Sequence, residues 1–142
     1  MHKGWIFTIV SLMVILEGCA SSALVSTEAQ LIQGEWAFRS AELAGKPVPL
    51  SAFQGSRLKL RDGKYEFQND RGEYVLKLNG SPKELDVLGK EGPNAGKTIP
   101  AIFVLDADSL VVCYDMEGKA RPKAFESRPG SKMFLARYQR EK

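Results

Sequence analysis

Arg57-Leu58-Lys59-Leu60-Arg61-Asp62-Gly63-Lys64-Tyr65-Glu66-Phe67 alternates charged and apolar side chains on either side of a single Asp-Gly pair. Successive side chains on a β-strand point to opposite faces, so Leu58 and Leu60 fall on one face and Arg57, Lys59 and Arg61 on the other. Asp62-Gly63 supplies the positive-φ pair that a two-residue hairpin demands, and Tyr65 and Phe67 return on the apolar face. The stretch predicts two antiparallel strands with one side towards a core and the other towards water.

The same period of two runs outward in both directions. Downstream, Arg71-Gly72 reads as the next turn, after which Tyr74, Leu76 and Leu78 share a face and complete a three-stranded meander. Asn79-Gly80-Ser81-Pro82 ends it, and Leu85 with Val87 marks another strand. Ala101 to Leu105 and Leu110 to Tyr114 are the most apolar runs, bridged by Asp106-Ala107-Asp108-Ser109. Arg121 to Ser127 is expected as a strand, and on Met133 to Arg140 the residues Phe134, Ala136, Tyr138 and Arg140 share one face. Upstream, Trp36 and Phe38 alternate with Glu35, Ala37 and Arg39 until Gly45-Lys46-Pro47-Val48-Pro49 opens a long connection through Phe53. Thr27-Glu28-Ala29-Gln30 has capping-box form and predicts a helical turn before the first strand.

Eight or nine short strands in about 110 residues, with turn signals between them, are the spacing of a sandwich or barrel. Closure removes exposed sheet edges. The expected architecture is therefore all-β: a small antiparallel barrel of about eight strands over residues 31–142, with a short helical turn ahead of it. An eight-stranded barrel is just wide enough to be filled by side chains or to hold one small ligand.

The segment before the barrel carries an address. Met1-His2-Lys3-Gly4 is a short basic head, and Trp5 to Leu16 is an apolar run of 12 residues. That is the length of a signal-peptide core and well short of the roughly 20 apolar residues a membrane span needs. Leu16-Glu17-Gly18-Cys19 then has the order apolar, any, small, Cys that a lipoprotein signal peptidase reads, with Glu17 the departure from the usual small uncharged residue. The expectation is a bacterial lipobox: residues 1–18 a signal peptide, cleavage between Gly18 and Cys19, and lipidation of the Cys19 thiol. Residues 19–30 form the tether. Two or three acyl chains give stable anchoring where one would be marginal. Ala20, in place of an Asp after the lipidated Cys, favours the outer membrane of the cell envelope.

Composition narrows the functions. Removing the signal takes away Lys3 and Glu17 and leaves the net charge at +3, with the excess scattered. A nucleic-acid binder clusters its cations on one face, and the run Lys119, Arg121, Lys123, Arg128 reads as a solvated edge, so no nucleic-acid partner is expected. The single histidine, His2, lies in the signal, which excludes Ser-His and Cys-His nucleophile pairs and His-containing zinc sites from the mature domain. Cys113, the second cysteine, sits in an apolar run and reads as a buried small hydrophobe. Gly89 to Thr98 closes with Gly96-Lys97-Thr98, yet Gly92 leaves only three residues before the Gly-Lys pair where a phosphate loop needs four. Asp106 and Asp108 lack the further ligand spacing and the glycine of a calcium loop. No metal and no cofactor are expected, and no pair of carboxylates is singled out for acid-base work, so the domain is not read as an enzyme.

A family resemblance rests on Ile32-Gln33-Gly34-Glu35-Trp36, Gly45-Lys46-Pro47-Val48-Pro49, Pro82-Lys83-Glu84-Leu85-Asp86, Gly96-Lys97-Thr98, Leu110 to Tyr114, Arg121-Pro122 with Phe125, and Arg140-Glu141-Lys142. In their order these segments resemble an uncharacterised lipocalin-like domain family of planctomycete-type bacteria, over about Leu31 to Lys142. The resemblance carries no catalytic or ligand residues. It implies that Gly34 and Trp36 form the Gly-x-Trp of a first barrel strand, with the Trp closing the barrel floor beneath an Arg of the last strand, Arg140 in first place and Arg137 in second.

The expected function is a lipid-anchored, non-catalytic binding module for a small apolar or amphipathic ligand, lined by Tyr65, Phe67, Tyr74 and Phe103. The alternative is a structural or interaction lipoprotein with a filled barrel, contacting another envelope protein through loops near Pro47, Gly89 to Lys97 and Arg128.

Overall fold

Residues 27–142 are described in a computed structural model; the expected signal peptide with Gly18, the expected lipidation site Cys19 and the expected tether through residue 26 lie outside the described residues. A helical turn over residues 27–31 leads into β1 (Gly34–Leu43), followed by β2 (Lys46–Pro47), a one-turn 3-10 helix (Leu50–Ala52), β3 (Arg57–Arg61), β4 (Lys64–Phe67), β5 (Asp70–Lys77), β6 (Lys83–Glu91), β7 (Thr98–Asp106), β8 (Ser109–Asp115) and β9 (Met133–Arg140). Each strand from β3 to β9 pairs antiparallel with the next, and β1 pairs with both β3 and β9. The result is a closed eight-stranded antiparallel barrel; β2 is a two-residue ledge on the outer end of β1.

The deciding hairpin has the geometry its sequence demands. Leu60 pairs with Tyr65 and Leu58 with Phe67, while Asp62 (φ 50°) and Gly63 (φ 76°) turn the chain. Inward positions on the remaining strands supply Trp36, Tyr74, Leu85, Val87, Ile99, Ala101, Phe103, Leu110, Val112, Ala136 and Tyr138 to one continuous core. On β1 a register shift between Phe38 and Ser40 exchanges the two faces, so that Ala41 rather than Ser40 turns inward. A bulge of this kind bends a strand, as closure of a small barrel requires.

Two expectations are corrected. Arg71-Gly72 is not a turn: Gln68 and Asn69 make the β4–β5 connection, with Gln68 at φ 54°, and Gly72 lies within β5 at a bulge against β6. Glycine serves close approach there, since a Cβ would lie 2.0 Å from the Leu88 carbonyl oxygen. Arg121 to Ser127 is not a strand either. Pro122 has no N–H to give a ladder, and the β8–β9 connection instead straps the outer face of the sheet. Phe125 packs there with Ile102, Cys113 and Leu135 in a second, external cluster.

Two side chains fix this strap. Asp115, 3 % exposed, accepts hydrogen bonds from the backbone N–H groups of Glu117, Lys119 and Ala120. Arg121 reaches across β6 and β7, donating from Nη1 to the carbonyls of Leu85 and Ala101 (3.3 and 2.9 Å) and pairing with Asp86 and Glu84. Cys113 is fully buried beneath the strap, with Sγ 3.6 Å from the Glu126 carbonyl oxygen; burial pushes its thiol pKa up.

Candidate binding cavity

The barrel has a built floor. Trp36 is completely buried and donates from Nε1 to the Ile32 carbonyl oxygen at 2.9 Å, drawing the segment after the helical turn under the barrel, where Ile32 is itself completely buried. Arg140 faces Trp36 across the β1–β9 pair and lies over the indole with its Cζ 4.2 Å from the ring centroid. Its guanidinium donates to the carbonyls of Gln33 (3.0 Å), Leu31 and Ala107 (3.3 Å). Gly34, at φ +125°, is what lets the arginine in: a Cβ there would meet Nη1 at 3.1 Å. Arg137 points outward and pairs with Glu42 at 3.5 Å.

Above this floor lies a cavity of about 100 Å³. Its wall is apolar, from Leu58, Leu60, Leu85, Val87, Ile99, Leu110 and Val112, interrupted by all four tyrosines of the chain, Tyr65, Tyr74, Tyr114 and Tyr138. Tyr114 and Tyr138 share a hydrogen bond at 3.4 Å between their hydroxyls. Burial raises the pKa of every one of the four, that of Tyr138 to about 12, so all four are neutral phenols across the physiological range.

The end opposite the floor is made by connections. The β4–β5 turn and the β6–β7 loop are tied by Asp70, which accepts from the Asn94 backbone N–H (3.2 Å), from Asn94 Nδ2 (2.6 Å) and from the Tyr65 hydroxyl (3.2 Å). Met116 and Phe134 line the cavity at this end. Phe53, from the β2–β3 connection, sets its ring among Phe38, Phe67 and Phe134 at centroid distances of 4.9, 5.6 and 6.1 Å, as a plug beside the mouth.

Of the aromatics expected at a ligand site, Tyr65, Phe67 and Tyr74 border this cavity. Phe103 does not: it is buried in the core, packed inside the wall rather than against the cavity. The sequence pattern does not single out Tyr114, Tyr138, Asp70, Asn94 or Phe53. The first two share the inward parity of β8 and β9 and were legible in principle. Asp70 and Asn94 meet only because the glycine-rich loop folds back on itself, through Gly89 N–H to the Lys97 carbonyl and Gly96 N–H to the Gly89 carbonyl, both at 2.9 Å.

Comparison with protein-family models, with curated proteins and with solved structures returns no match to this chain. Among the described residues no group of three or more His, Cys, Asp and Glu is placed to hold a metal ion.

Proposed function

We propose that this is a lipid-anchored, non-catalytic binding module of the cell envelope that holds a small apolar or amphipathic molecule inside its barrel. The observation that carries the reading is the tyrosine-ringed apolar cavity of about 100 Å³ between the Trp36–Arg140 floor and the loop end. Interiors are close-packed, and an apolar cavity of about 150 Å³ is enough to bind benzene. The occupant is therefore small, well below the contents of the 300–1,000 Å³ clefts that hold drug-sized ligands. Anchoring through Cys19 rests on Leu16-Glu17-Gly18-Cys19 behind its apolar run. Because the chain enters the barrel at the floor, through Ile32 and Trp36, such a tether leaves the mouth directed away from the bilayer, with outer-membrane placement favoured by Ala20.

Native mass spectrometry of the purified protein tests the binding reading: a copurifying or added small molecule should be retained by the wild type and lost from Val112→Phe, which fills the cavity. Retention by both would overturn it. An unmodified residue 19 in the mature protein would overturn the anchor.

One observation favours a second reading, an interaction lipoprotein. The loops at Pro47, Gly89 to Lys97 and Arg128 all gather at the mouth end, where Leu50 is 60 % exposed and Leu43 39 %. Crosslinking in native membranes that reproducibly captures one envelope protein through this rim, with the cavity empty, would favour it.

A further inference from the structure

The chemistry of the cavity wall restricts its occupant more sharply than the volume does. Among the described residues Asp70 is the one charged residue on the lining, and no Lys or Arg reaches it. The cation nearest in role, Arg140, is committed at the floor to three carbonyls and the face of Trp36. An entering carboxylate or phosphate would meet a like charge, with tyrosine hydroxyls but no cation to receive it.

Asp70 has capacity left. A carboxylate offers about four lone-pair sites, and among the described residues three donors occupy it: Oδ2 takes Tyr65 and Asn94 Nδ2, while Oδ1 takes the Asn94 N–H. Oδ1 can accept one further hydrogen bond. The tyrosine rings add faces that attract a cation, and the raised tyrosine pKa values keep those rings neutral.

We infer that the cavity takes a small primary amine, its ammonium donating to Asp70 Oδ1 at the mouth and its short apolar tail lying towards Val112. The inference rests on the binding-module reading and names the ligand class for it. A tail of about four carbons suits a cavity somewhat smaller than one that binds benzene.

The test is a titration of the purified protein at neutral pH with n-butylammonium, 1-butanol and butanoate, followed by NMR shifts of the Asn94 amide and the Val112 methyls, with xenon as a neutral probe of the cavity itself. Saturable shifts are expected from n-butylammonium, with a Kd at least tenfold below that of 1-butanol and none from butanoate. Asp70→Asn should bring n-butylammonium to the level of 1-butanol. The wild-type ranking of the three probes stands without the variant, should Asp70→Asn disturb the loop. Xenon or 1-butanol entering with no preference for the amine, or butanoate binding best, would overturn the amine inference while leaving the cavity reading intact. Failure of every probe, xenon included, would overturn both.

Discussion

Trp36→Ala removes the floor of the barrel, and its cost can be built from the contacts Trp36 makes. Deleting a fully buried Trp costs about 3–5 kcal/mol in lost transfer energy and residual cavity, and Trp36 is 0 % exposed. The substitution also takes the Nε1–H donor from the Ile32 carbonyl, about 1 kcal/mol net. It removes the ring beneath Arg140, a further contribution of about 1 kcal/mol for a partly exposed guanidinium over a buried ring. The sum, roughly 5–7 kcal/mol, compares with a total of about 5–15 kcal/mol for a typical domain. At this size a thermal midpoint moves by roughly 3–5 °C per kcal/mol, so the melt followed by circular dichroism should fall by roughly 15–35 °C, or the protein should be unfolded at 25 °C. Trp36→Phe keeps most of the volume but loses the Nε1–H donor, and should fall by about 1–3 kcal/mol. A Trp36→Ala protein that melts within a few degrees of the wild type would refute the floor as the keystone of closure.

Other tests address other parts of the molecule. Burial pushes the Asp86 pKa up, but hydrogen bonds and charge from Lys77 and Arg121 outweigh it and hold the carboxyl below its usual value. Its contribution is present above about pH 4 and lost as the pH falls further through the lowered pKa, so Arg121→Met should be less stable by about 1–3 kcal/mol at neutral pH and converge towards the wild type in acid, as urea melts at a series of pH values would show. A constant difference down to pH 2 would contradict it. Raised tyrosine pKa values run the other way: folded stability is unaffected below about pH 10 and declines as pH rises towards the folded value of about 12 for Tyr138. Absorbance of the native protein near 295 nm should therefore show less tyrosinate at pH 11 than the unfolded chain does, and full ionisation there with the fold intact would refute the buried ring of phenols. Cys113 should react with a thiol reagent only after denaturation, since it lies wholly beneath the strap of residues 121–131; prompt labelling of the native state would show that the strap is not seated as described.

What the sequence determined by itself is the part of the molecule governed by local rules. A period of two assigns each side chain of a strand to one face, so Leu58, Leu60, Tyr65 and Phe67 declare their common side before any pairing is known. Asp62-Gly63 declares its turn because few other pairs adopt positive φ without strain. Gly34, Trp36 and Arg140 were legible as a set through resemblance, and their contact is a consequence of β1 and β9 lying side by side. Tertiary structure alone decided the rest. Arg71-Gly72 looks like a turn, but Gly72 answers to the Leu88 carbonyl of a strand distant in sequence. Arg121 to Ser127 is expected as a strand from its place between two turns, yet Pro122 and the reach of Arg121 to β6 and β7 place it across the outer face. Phe103 and Tyr65 carry the same inward parity, and only the height at which each enters the barrel decides which packs solidly and which borders the cavity. The pairing of Asp70 with Asn94, on which the proposed recognition depends, spans 24 residues. No period or spacing within either segment encodes it, because loop closure between them is set by the register of β5 on β6.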